Sequence, residues 1–161
     1  MNALILAAGL GTRLLPYTQH LPKPLFTING RPVIDYAIKN LLDAGCTKIF
    51  INAHHLADTI ADFVDNHRSK NLMQLVFEPV ILDTGGAIAN LSNELADDDF
   101  FVDNADVLCN YDLSHLMACH KASGALATLL VHDCYRFNTI CVDQKIPGPG
   151  IVRHFSQPPE S

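Results

Sequence analysis

Residues 2–25 read NALILAAGLGTRLLPYTQHLPKPL, and the change of character at Gly9 decides the fold. Asn2 to Ala7 (NALILA) is a short, largely apolar run without alternation, which suits a parallel strand buried on both faces. From Ala8 to Lys23 the chain is punctuated by Gly, Thr, Arg and Pro. Working outward, Pro32 sits at the first turn of a predicted helix whose Ile34, Ile38, Leu41 and Leu42 share one face, with Gly45 as its stop. Lys48 to Ala53 (KIFINA) reads as strand two, and Leu56, Ile60, Phe63 and Val64 recur at helical spacing. Leu72 to Phe77 reads as strand three, Thr84 to Leu95 as a helix and Phe100 to Asp103 as strand four. A helix over Leu113 to Lys121 and a strand over Ala125 to His132 follow. The tail from Pro147 (PGPG, then QPPES) is loop-like. Such alternation predicts an α/β fold with a parallel sheet and helices on both faces.

The length of 161 residues fits one domain. With 48% apolar and 17% charged residues, the chain is able to bury a sizeable core. Eleven Lys and Arg against seventeen Asp and Glu give a net charge of −6. That balance excludes a nonspecific nucleic-acid surface, which needs a positive field, and leaves room for one small anion at a local site. No stretch approaches the ~18 apolar residues of a membrane span. Met1 to Leu10 lacks the basic region that opens a signal peptide, so it reads as a buried first strand. Five scattered cysteines (Cys46, Cys109, Cys119, Cys134, Cys141) without a C-x-x-C pair read as core thiols of a cytoplasmic protein.

Three segments carry chemistry. In the first, Gly9 and Gly11 follow a strand and let backbone amides approach an anion as a concave donor nest. Gly-Lys-Ser/Thr is absent, and Leu14 stands where a dinucleotide fingerprint has its third Gly, so the segment is neither a P-loop nor that fingerprint. It adds two cations, Arg13 and Lys23, the second held in Pro22-Lys23-Pro24. Phosphoryl transfer needs such donors to hold and neutralise phosphates. The second segment, Val102 to Asp106 (VDNAD), lies at the C-terminal end of strand four, where ligands of open α/β sheets bind. The third, Glu78 to Ala87 (EPVILDTGGA), offers Thr84 as an N-cap and Gly85-Gly86 for close passage of backbone past a ligand. The pairs His54-His55 and His115 with His120 are spaced so that neither makes a metal site.

L-A-A-G-x-G-T-R from Leu6 followed by P-K-P-L from Pro22 resembles the signature of the sugar-1-phosphate nucleotidyltransferases, in particular N-acetylmuramate-1-phosphate uridylyltransferases and mannose-1-phosphate guanylyltransferase-like proteins. The resemblance runs through ordered blocks to about Val131. It implies a Rossmann-like, mostly parallel sheet of the nucleotide-diphospho-sugar transferase (GT-A-like) kind. It also implies an enzyme that joins a nucleoside triphosphate to a sugar 1-phosphate, giving an NDP-sugar and pyrophosphate. By resemblance Asp106 matches the aspartate that binds Mg²⁺, while Ala105 stands where Gly is commoner. Ala7, Ala8, Gly9, Gly11, Thr12, Arg13, Glu78, Thr84, Gly85 and Asn104 are the expected nucleotide-binding residues, with Arg13, Lys23 and Asp106 catalytic.

Glu78, six positions before Thr84, matches the residue that contacts the base. A carboxylate serves uracil N3–H or the paired N1–H and N2–H₂ of guanine, so this residue leaves the base open; among the family's donors UTP is the favoured expectation and GTP the alternative. Family members are longer, so these residues read as the N-terminal, nucleotide-binding portion of a C-terminally truncated chain. A phosphocholine cytidylyltransferase of the same fold and a non-catalytic nucleotide-binding module are the competing readings. Oligomeric state is left open.

Overall fold

The computed structural model describes residues 1–134, 139–143 and 150–155. Two compact units divide the chain, Met1–Leu113 and Ser114–Ser161.

In the first unit the strands β1 (Asn2–Leu6), β4 (Lys48–Ala53), β5 (Met73–Phe77) and β6 (Phe101–Asn104) form one parallel sheet in the order β5-β4-β1-β6. Between β1 and β4 the chain makes a small hairpin, β2 (Thr27–Ile28) and β3 (Arg31–Pro32), closed by Asn29 and Gly30 at φ 51° and 73°. Positive φ at both turn positions is what a tight hairpin demands, and Asn-Gly meets it at little steric cost. This hairpin is absent from the expectations above. The helices are α1 (Val33–Asp43), α2 (Ala57–Asn66), α3 (Asp83–Asn90) and α4 (Ser92–Leu95).

Side chains alternate across the sheet. Leu4 of β1 and Phe50 of β4 pack with Ala87, Leu91 and Leu95 from the α3–α4 segment, with Leu6, Val76, Ile88 and Phe100 around them. The opposite face presents Ala3, Ile5, Ile49 and Ile51, all fully buried. On that side α1 meets β6 and α2 meets β5, and Ile34, Ile38, Leu41 and Ile60 have no exposed surface. Two buried faces explain why β1 and β4 read as continuous apolar runs.

Several expectations change. The predicted helix Thr84–Leu95 is broken at Leu91, whose N–H donates to Ile88 O (3.1 Å) in a tightened turn. Asn90 and Ser92 flank the break and are weak helix formers, while Leu91 stays in the core. No strand forms over Ala125–His132, which pairs with no strand among the described residues; in the second unit β7 (Ile140–Asp143) and β8 (Ile151–Phe155) pair with each other, and a ladder needs a partner. Residues 147–149 and 157–161 of the loop-like tail lie outside the described residues, and between them Ile151–Phe155 is a strand. Helix α5 (Leu113–Ser123), two residues longer than expected, begins at the last residue of the first unit, and the rest of it belongs to the second. Of the five thiols only Cys46 is buried, its pKa pushed up to about 11 by desolvation; the other four are half-buried rather than core. Among the described residues no helix is long and apolar enough to cross a membrane.

The core makes a direct prediction. Phe50→Ala should lower the free energy of unfolding by about 3–5 kcal/mol, the usual range for emptying a buried aromatic site. A urea unfolding curve reads it, and a loss below about 1 kcal/mol would show that this layer is not the core.

Candidate active site

Sheet order places the site. The chain steps from β1 to β4 to β5 in one direction and then returns to β6 on the other side of β1. At that reversal the segments leaving the strand ends diverge and open a crevice beyond the carboxyl ends. In register, Leu6 of β1 lies between Asn52 of β4 and Asn104 of β6, so their following segments start level. A cavity of about 440 Å³ opens there.

Its floor is the segment after β1. Gly11 has φ 65°, and a Cβ on it would lie 2.7 Å from Thr18 Cγ2, so conformation and close packing both require glycine. Thr18 Oγ1 donates to Gly11 O (3.0 Å), and Thr18 is itself held by His55 Nε2, which lies 2.7 Å from its carbonyl oxygen. Gly9 is exposed, with open space where a Cβ would stand. Arg13 follows in a short 3₁₀ turn, Thr12–Leu14; its guanidinium pairs with no carboxylate among the described residues.

Opposite stand Asn104 and Asp106. Ala105 N–H donates to Leu6 O (3.1 Å), carrying the β1–β6 ladder one step beyond the strand and fixing Asp106 at the mouth. The carboxylate of Asp106 is ion-paired with Lys23 Nζ, and both side chains are about one-third exposed. An exposed pair of this kind is worth roughly 0–1 kcal/mol, so an anion for Lys23 and a cation for Asp106 can separate the two cheaply.

At the third side the expected base-contacting residue is sequestered. Glu78 is 1% exposed and both carboxylate oxygens already accept, Oε1 from Asn52 Nδ2 (2.8 Å) and Oε2 from the Leu82 N–H (3.1 Å). Asn52 in turn accepts the Ala7 N–H on Oδ1 (2.6 Å). His54 Nδ1 lies 2.7 Å from the Glu78 carbonyl oxygen, which only accepts, so that nitrogen carries the proton.

The cavity thus gathers Ala7, Ala8, Gly9, Gly11, Thr12, Arg13, Lys23, Glu78, Thr84, Asn104 and Asp106. Gly85 does not line it: it lies in the first turn of α3, where a Cβ would meet nothing within 4 Å. Nor is Thr84 the N-cap. The helix begins at Asp83, capped by Leu82 without a side-chain bond, because Asp83 takes a left-handed turn (φ 57°) immediately before Thr84. Asn52, which the sequence offers either as a cleft residue at the end of strand two or as a loop cap, lines the cavity, and Asp83 joins it.

The family profile described as Nucleotidyl transferase matches residues 2–138, and the chain belongs to that family. A mannose-1-phosphate guanyltransferase of Hypocrea jecorina is 37% identical over 135 residues, 81% of this chain and 37% of that enzyme. The chain therefore spans well under half the length of this relative. Among solved structures, HddC from Yersinia pseudotuberculosis complexed with GMP-PN is 32% identical, with a TM-score of 0.65 over 74% of this chain and 53% of its own. An apo UDP-glucose pyrophosphorylase, 19% identical, superposes over 99% of this chain and 70% of its own with a TM-score of 0.77, a likeness of fold. The mostly parallel sheet with helices is the one expected from the sequence.

Asp103, one residue before Asn104, is pushed above the ordinary carboxylate range by burial, which the backbone amide of Asn104 only partly offsets. The folded protein then holds this proton to higher pH than the unfolded chain does, and stability is lost as pH rises through the raised pKa. Asp103→Asn should raise the urea midpoint at pH 7, with a smaller gain below about pH 3, where the carboxyl is largely neutral in both states. An equal gain at both pH values, or a loss at pH 7, would contradict this.

Proposed function

We propose that this chain binds a nucleoside triphosphate across the carboxyl ends of β1, β4 and β6 and serves sugar-1-phosphate nucleotidyl transfer. The observation that carries the reading is the convergence of an exposed glycine turn, Arg13, which pairs with no carboxylate among the described residues, and the separable Lys23–Asp106 pair in one cavity at the strand-order reversal.

A phosphate oxygen of the sugar 1-phosphate attacks the α-phosphorus; the new P–O bond forms as the α–β anhydride bond breaks, and pyrophosphate leaves with the electron pair. The acceptor is already anionic, so no protein nucleophile is required and catalysis is positioning plus charge neutralisation. Arg13 and the amides of Gly9–Thr12 hold the β- and γ-phosphates. Lys23, freed from Asp106, draws the sugar phosphate to the α-phosphate. The donor set fits Mg²⁺, which takes one or two carboxylates and completes its shell with substrate phosphates and water; Asp106 would hold it, and bound there it supplies positive charge to the phosphates. Asn104 borders the nucleoside.

The donor is UTP or GTP. The sequence reading favours UTP, and the relative named above carries guanine in its name. The acceptor is a hexose 1-phosphate or a close derivative of one.

Pyrophosphate release with UTP, GTP, CTP and dTTP against several sugar 1-phosphates and phosphocholine tests this. Turnover is expected with UTP or GTP and a sugar 1-phosphate in the presence of Mg²⁺. Lys23→Ala and Arg13→Ala should each lower kcat by about 100-fold, the scale of losing one donor to a charged transition state, with the melting temperature unchanged. Near-wild-type turnover in either variant would remove that residue from the site, and nucleotide binding without turnover on any acceptor would favour a binding module.

A further inference from the structure

Resting on that nucleotide reading, we propose that Asn52 is a positioning residue, which with Glu78 forms a buried relay setting the span between the phosphate-holding and base-holding segments. The relay runs from Ala7 N–H to Asn52 Oδ1 (2.6 Å), from Asn52 Nδ2 to Glu78 Oε1 (2.8 Å), and from Leu82 N–H to Glu78 Oε2 (3.1 Å).

It joins two segments that share no ladder. Ala7 is the first residue past β1 and leads into the glycine turn, whereas Leu82 precedes Asp83 and Thr84 on the opposite side of the cavity. Asn52 is 4% exposed and Glu78 1%, and no cation pairs with Glu78 among the described residues, so hydrogen-bond donors alone hold its carboxylate. The amide of Asn52 is oriented by its two contacts, one oxygen to a donor and one nitrogen to an acceptor. A relay with every member satisfied has a single low-energy length, because stretching it leaves a buried polar group unmet. A ligand that touches both segments, phosphates at one end and base at the other, is sensitive to that length. A ligand that touches only the phosphate segment is not.

The direction of the hydrogen bonds supplies the test. Asn52→Asp sets a carboxylate against Glu78. Glu78→Gln leaves either Asn52 Nδ2 or Leu82 N–H facing an amide donor. In Asn52→Asp/Glu78→Gln every bond is restored with the central one reversed and the total charge kept. Calorimetry would compare the binding of magnesium-loaded UTP and GTP with that of inorganic pyrophosphate. Each single variant should weaken the triphosphate by about tenfold or more and pyrophosphate by no more than about twofold, while the double variant returns to within about threefold of wild type. Should a single variant not fold, Glu78→Asp keeps the charge, shortens the relay by one methylene and should show the same split. Equal losses for both ligands, or no recovery in the double variant, would overturn the relay. Wild-type protein that binds pyrophosphate but neither triphosphate would instead overturn the nucleotide reading on which it rests.

Discussion

The architecture depends on β1 being paired along its length on both sides. Its backbone groups are committed to β4 on one edge and β6 on the other, and Ala3, Leu4 and Ile5 are sealed between helical layers. A strand fixed in this way cannot slip in register without turning its apolar side chains out of the core. Its carboxyl end is therefore the best-defined point in the molecule, and the chain leaves it at Ala7 level with Asn52 and Asn104. Everything at the cavity is measured from that point: the glycine turn that follows β1, the Ala105–Leu6 bond that carries Asp106 to the mouth, and the amide that Asn52 receives.

The electrostatics follow from this placement rather than from the bulk of the chain. A net charge of −6 makes the protein as a whole unwelcoming to anions, yet the cavity gathers Arg13, Lys23 and the backbone amides of the glycine turn. Among them Asp106 is ion-paired with Lys23. Glu78, by contrast, is turned inward and spends its oxygens on protein donors, so its effect on a ligand passes through Asn52 and Leu82 as well as through its own edge of the cavity.

Much of this was legible in the residues, for identifiable reasons. The bounds of β4 coincide with KIFINA, and β1 falls one residue short of NALILA, because doubly buried parallel strands leave an unbroken apolar run. The glycine turn and its cations were legible because the motif is local. What escaped depends on distant partners. Ala125–His132 has a strand's composition, but no strand pairs with it among the described residues. Thr84 has the identity of a cap, but the backbone turn at Asp83 takes its place. The commitment of Glu78 to Asn52 and Leu82 joins residues 26 and four positions away, and no periodicity encodes it. The Asn29-Gly30 hairpin is the exception, since its signal stands openly in the dipeptide.

The central claim is that one ligand bridges the glycine turn, the Asn52–Glu78 side and Asp106. An amide nitrogen–proton correlation spectrum recorded while Mg²⁺ and UTP or GTP are titrated in tests it most directly. Saturable shifts should concentrate at residues 7–13, 82–85 and 104–106, with Ala7 and Leu82 moving in the same titration. Shifts scattered elsewhere, or confined to one of the three segments, would contradict it.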